Sequence, residues 1–153
     1  MKQFILSIAT VLMMGLSSFA NVNVNDNEVN QQAVQSFKKD FVNATSVTWE
    51  QTADYVKATF HLNDQVLFAY YNTNGELQAV VRNIVSEQLP LSLLTELKKD
   101  YSGYWISDLF EIASNDQTSY YVTLENSDKK IVLRSEGTSS WGFFAKEKKN
   151  DQQ

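Results

Sequence analysis

The chain has 153 residues, 43% of them hydrophobic, a formal net charge of −5 and no cysteine. That length is expected to give one compact domain or two very small units sharing a core. The cysteine count excludes disulfides, thiolate metal sites, cysteine nucleophiles and the lipidated cysteine of a bacterial lipoprotein, and mild acidity with scattered or paired lysines fits neither nucleic acid nor an anionic membrane surface.

Residues 1–20 read as a signal peptide. Lys2 supplies a positive start, Phe4 to Leu16 an apolar stretch, and Ser18-Phe19-Ala20 a small-x-small cleavage site. The apolar stretch is shorter than the ~20 residues that span a bilayer. Cleavage after Ala20 removes Lys2, makes the chain slightly more acidic and leaves a protein expected in the periplasm or secreted, without a lipid anchor. Without disulfides, its stability must come from its core.

The Asn-rich residues 21–30 lead to a first helix, capped at Asp26 or Asn27 and running to about Phe41. Four strands follow: Ser46 to Glu50, Tyr55 to Leu62, Gln65 to Tyr71 and Leu77 to Ile84. Asn63-Asp64 makes a tight turn, and Asn74-Gly75 is a hairpin signal because a residue of positive φ is needed there. After the link Ser86 to Leu89, Pro90 opens a second helix, which Gly103 ends. Strands are then expected over Trp105 to Ala113, Ser119 to Glu125, Lys130 to Ser135 and Ser140 to Lys146. A charged tail closes the chain.

The two helices are related by sequence. At a constant offset of sixty, Ala33, Val34, Phe37 and Phe41 match Leu93, Leu94, Leu97 and Tyr101, and Lys38-Lys39-Asp40 recurs as Lys98-Lys99-Asp100. The apolar positions form one stripe of a 3.6-residue period, with the lysines on its solvated side. Each copy precedes the same series of strands, so the chain reads as a duplicated unit. The domain boundaries are a signal peptide at 1–20, a first repeat at 21–85, a second at 86–146 and a tail at 147–153. The fold class is α+β: one helix plus a four-stranded antiparallel sheet, twice.

Pairing Leu62 with Gln65 places Val56, Ala58, Phe60, Leu67, Ala69 and Tyr71 on one sheet face. The other carries Tyr55, Lys57, Thr59, His61, Val66, Phe68 and Tyr70. In the second repeat Tyr120, Val122 and Leu124 oppose Tyr121, Thr123 and Glu125, while Trp141 and Phe143 oppose Gly142 and Phe144. One face receives the helix. The other is either buried or an aromatic platform for a protein or peptide, and Tyr55, His61, Tyr70, Tyr121 and Trp141 are its candidate residues. Tyrosine also favours antiparallel sheets for purely structural reasons.

Catalytic readings are weak. His61 is the single histidine, so a two-histidine metal site cannot form, and the serines lack nucleophile-elbow glycines. Asp54, Asp64, Asp116 and Asp128 fit turns, not a calcium loop. A glycine-rich phosphate loop is absent too. No catalytic, cofactor or metal residue is assigned.

Phe37-x3-Phe41-x2-Ala44-x2-Val47-x-Trp49, Val56-x-Ala58-x-Phe60, Ala69-x-Tyr71-x3-Gly75-Glu76 and Leu89-Pro90 together resemble the PepSY-like family of small exported bacterial proteins. The resemblance implies a fold similar to β-lactamase inhibitor protein, with tandem helix-plus-sheet units, and a non-enzymatic role in extracytoplasmic binding or inhibition. In the second repeat Leu109 stands where Trp49 stands in the first, and Gly103-Tyr104-Trp105-Ile106 replaces the Ala-x-x-Val-x-Trp pattern. The inhibitor of this fold carries disulfides, which this chain cannot form, so β-lactamase inhibition does not carry over. The expected function is an exported binding module that holds an extracytoplasmic protein or peptide on its open sheet face, extending to inhibition of an envelope hydrolase. The alternative is a small-molecule carrier with an apolar pocket between helix and sheet.

Overall fold

The computed structural model describes residues 28–148. The expected signal peptide, the cap at Asp26 or Asn27 and tail residues 149–153 lie outside that range. Within it the elements run α1 (Gln31–Asp40), β1 (Thr45–Gln51), β2 (Val56–Leu62), β3 (Gln65–Tyr71), β4 (Leu77–Asn83), a 3-10 turn (Ser86–Gln88), α2 (Leu91–Asp100), β5 (Trp105–Ser114), β6 (Gln117–Glu125), β7 (Lys129–Glu136) and β8 (Gly142–Lys148). Glu147 and Lys148, expected in the tail, complete β8.

Hydrogen bonding orders the strands β1 to β8 in a single eight-stranded antiparallel sheet. This corrects the expectation of a tandem of helix plus four-stranded sheet. Side-chain alternation specifies which face a residue occupies. The pairing of one strand's backbone with the next leaves no comparable mark on the sequence. The chain divides into two compact units, Met1–Val81 and Arg82–Gln153, and each has its own helix and core.

In the first unit α1 begins at Asn30, whose side-chain carbonyl accepts from the amides of Gln32 and Ala33. That satisfies two of the donors a helix start leaves unpaired. Ala33, Val34 and Phe37 are buried against Trp49, Val56, Ala58, Phe60, Ala69 and Tyr71. Phe37 lies edge-on to both Trp49 and Phe60, with ring centroids 5.3 and 4.9 Å away, a favoured aromatic geometry. The β2–β3 register pairs Leu62 with Gln65, as the tight turn demands, and Asn63 and Asp64 both take positive φ. β1 carries a bulge between Thr45 and Thr48, where Ser46 has φ 54°.

In the second unit Pro90 precedes α2, and Leu93 and Leu97 pack on Leu109, Tyr120, Val122, Leu124, Ile131, Leu133 and Trp141. Complete burial of one leucine such as Leu93 contributes about 2 kcal/mol. The helix ends earlier than Gly103: Tyr101 caps it, its N–H bonding the Leu97 carbonyl. Asn115 and Asp116 repeat the positive-φ turn of Asn63-Asp64, here joining β5 to β6. A bulge between Ile106 and Asp108 repeats the one in β1. Among the described residues no helix is long and apolar enough to cross a membrane.

Candidate functional site: the sheet faces opposite the helices

With α1 on one side of β1–β3, the reverse face of the first unit is a ladder of three rows. Glu50 pairs with Lys57, and Lys57 with Tyr70; Thr48 pairs with Thr59, and Thr59 with Phe68; Thr45 pairs with His61, and His61 with Val66. The first row is closed. Lys57 Nζ lies 3.1 Å from Glu50 Oε1 and 5.2 Å from the centre of the Phe68 ring. Tyr70 is only 2% exposed, with the Tyr55 ring 5.6 Å away. Burial, with the Glu50 charge as a smaller contribution, pushes the Tyr55 and Tyr70 hydroxyls above the ordinary tyrosine range. Towards the Asn63-Asp64 turn the ladder opens: Thr59 and Phe68 are half-buried, and His61 and Val66 are exposed.

The reverse face of the second unit is different. Phe110 stacks on Tyr121 with centroids 5.2 Å apart and planes 8° from parallel, Phe144 meets Tyr121 edge-on, and the Arg134 guanidinium lies 5.6 Å from the Tyr121 ring centre. Phe110, Ile112, Tyr121, Thr123 and Val132 are all buried. Aromatic composition does not make this face a platform.

The five candidate residues therefore separate. Tyr55 is half-buried and His61 exposed, and they share the first unit's reverse face. Tyr70 and Tyr121 are buried, at 2% and 0% exposure, so they support a contact surface from beneath and do not form one. Trp141 is on the helix side: its indole Nε1 donates to the Leu93 carbonyl at 3.0 Å, and it belongs to the second core. Alternation assigns a residue to one of two faces, but burial depends on what lies over a face, which alternation does not record. The sequence reading passed over Arg134. The β6–β7 register that sets it beside Tyr121 follows from the Ser127-Asp128 turn and was legible in principle.

Among the described residues no group of three histidine, aspartate or glutamate side chains could hold a metal. The helix–sheet interfaces are filled by interlocked side chains, and two clefts lie on the surface of the second unit. One, of about 430 Å³, lies at the β5 bulge between Val85, Glu87, Ile106 and Asp108; another, of about 400 Å³, lies beside Arg134 and Phe143.

No protein-family model matches the sequence, and no curated protein matches it. Solved structures do. A BLIP-like protein from Bacteroides fragilis shares 20% identity at a TM-score of 0.65, covering 84% of this chain and 95% of that one. A DUF2874 family protein from Bacteroides uniformis gives 14% identity and a TM-score of 0.68, covering 78% of this chain and 89% of that one. A protein provisionally described as periplasmic, from Bacteroides eggerthii, gives 11% identity and 0.66, covering 76% of this chain and 86% of that one. At such identities the likeness concerns architecture: the chain has the BLIP-like fold expected from its sequence.

Proposed function

We propose that this protein is a non-enzymatic, PepSY-like binding module of the periplasm or extracellular space, and that it holds a protein or peptide on the reverse face of its first unit. The supporting observation is the open end of the three-row ladder. There His61, Val66, Thr59 and Phe68 present mixed apolar and polar surface on a sheet held rigid by the aromatic core behind it. Such a patch, aromatic at its centre and polar at its rim, suits protein recognition. Tyr55 forms its border, and Tyr70 and Lys57 set its floor. The BLIP-like fold and the periplasmic description of a structural neighbour agree with this reading. Inhibition of an envelope hydrolase is the form of binding the fold suggests.

The carrier alternative loses ground because the space between helix and sheet is packed in both units. Tagged wild-type protein and a His61→Glu/Val66→Glu variant, compared in envelope extracts, test the proposal. The expected result is one or more proteins retained by the wild type and lost by a variant with unchanged circular dichroism. Identical recovery by both would remove the face from consideration.

A further inference from the structure

Asn74 is the only asparagine of the chain followed by glycine, and its place in the β3–β4 hairpin sets it apart again. Asn30, Asn72 and Asn126 have occupied side chains. Asn72 Oδ1 accepts from the amides of Asn74 and Glu76, both at 3.0 Å, and its Nδ2 donates to the Glu76 carboxylate. Asn30 caps α1, and Asn126 Oδ1 accepts from the amides of Asp128 and Lys129. Asn74 is exposed, and among the described residues its side chain has no hydrogen-bond partner. The chain beyond it is held tightly. The Gly75 N–H donates to the Asn72 carbonyl at 3.0 Å, and Gly75 is buried against Gln32 and Ala33 of α1. Thr73 and Gly75, on either side of Asn74, carry the two carbonyls that accept from Asn30 and Ser36.

We infer that Asn74 is a site of spontaneous deamidation, gated by the contact between this hairpin and α1. The Gly75 nitrogen loses its proton and attacks Asn74 Cγ; the Cγ–Nδ2 bond breaks and ammonia leaves. Glycine has no Cβ to obstruct that approach. Water then opens the cyclic imide at either carbonyl, giving aspartate or isoaspartate, and no other reactant is needed. The imide nitrogen carries no hydrogen, so the bond from Gly75 to the Asn72 carbonyl must break. A nitrogen pinned beside α1 must also be released to turn towards Asn74 Cγ. The reaction therefore draws on a locally opened state, whose population sets its rate. Isoaspartate adds a methylene to the main chain between the Thr73 and Gly75 carbonyls, so the ties to Asn30 and Ser36 no longer fit together. The first unit thus records its own openings irreversibly. This inference is independent of the binding role proposed above.

Incubation of the full chain in mildly alkaline ¹⁸O-water, followed by peptide mapping with electron-transfer mass spectrometry, tests the inference. Asn74 is expected to be modified ahead of every other asparagine in residues 28–148, gaining a heavy oxygen and giving both products. Ser36→Ala should speed the reaction about fivefold, the change in an opening equilibrium on losing one hydrogen bond. Asn30→Ala, which removes the cap and the tie to Thr73, should speed it about tenfold. Asn126 is the internal reference: a matching acceleration there would mean global unfolding and overturn the gating. Equal rates at Asn74 in the wild type and Ser36→Ala, or faster modification of another asparagine, would overturn it too. Amide spectra of the purified isoaspartyl protein should lose signals in α1 and keep those of the second unit. An undisturbed α1 would refute the structural consequence.

Discussion

The two units solve one problem, fastening a helix to the hairpin between the third and fourth strands of the unit, by opposite means. In the first, the hairpin approaches α1 so closely that a side chain is excluded. Gly75 is buried at φ 76°, and a Cβ there would lie 2.5 Å from Gln32 Cβ and 2.7 Å from the Ala33 amide nitrogen. Backbone carbonyls make the link, Gly75 accepting from Ser36 Oγ at 2.7 Å and Thr73 from Asn30 Nδ2 at 2.7 Å. In the second, the corresponding hairpin stands off and the gap is filled by the largest side chain. Trp141 donates through its indole to Leu93 and through its backbone N–H to Glu96, while Ser92 Oγ donates to the Thr138 carbonyl. Gly137 also has positive φ, yet a Cβ there would meet nothing within 4 Å. Two units of like element order thus fasten their helices with different chemistry.

Alkali should separate the units most strongly. Burial raises Tyr70 and Tyr71 of the first unit far above the ordinary value of 10.0, whereas the rise of Tyr121 in the second is opposed by Arg134. A folded-state pKa above the unfolded one means that the stability these tyrosines confer is complete below pH 10 and is lost as pH rises past it. Amide signals of the first unit are therefore expected to disappear before those of the second, together with a rise in tyrosinate absorbance; the reverse order would break the comparison. Gly75→Ala comes next, expected to destabilise by at least about 3 kcal/mol through backbone overlap and a strained φ. Gly137→Ala, with strain alone, should cost only about 1 kcal/mol. Urea unfolding of the pair measures the contrast, and equal costs would show that the close approach in the first unit does not matter.

Trp141→Phe tests the other fastening. It removes the indole bond to the Leu93 carbonyl and opens a small cavity, for about 2 to 3 kcal/mol. Asn30→Ala should cost about 1 to 2 kcal/mol, as it deletes both the helix cap and the tie to Thr73. Smallest is Lys57→Met, expected to change stability by less than about 1 kcal/mol because a partly exposed ion pair is balanced by what it costs to form. Thermal melts of that variant report whether the closed row of the ladder is held by charge or by packing.

Much of the fold was legible because its determinants are local. The apolar stripe of each helix, the strict alternation of β2 and the paired positive-φ residues of Asn63-Asp64 and Asn115-Asp116 are properties of short segments. What escaped the sequence depends on contacts distant along the chain. The start of α1 is set by Asn30, whose cap is reinforced by Thr73 and by Gln51 accepting from its backbone N–H; an Asn-rich approach offers several equivalent caps and no local reason to choose among them. The candidate site was legible by half. The turn register placed His61, Val66 and Phe68 on one face, but the burial of Tyr70 and Tyr121 and the passage of Trp141 to the helix side reflect tertiary packing.

The bulges have a consequence for solubility. A sheet that does not close leaves two outer strands, here β1 and β8, and such strands invite another chain to add on and propagate a fibril. In both outermost ladders the regular pairing is interrupted, between Thr45 and Thr48 in β1 and opposite Val132 and Leu133 in β8. Ser46 turns the first of these away with a left-handed residue, and exposed Lys146 charges the second. A cysteine-free chain has no covalent lock against misassembly. These irregularities make each outer strand a poor template for the next molecule.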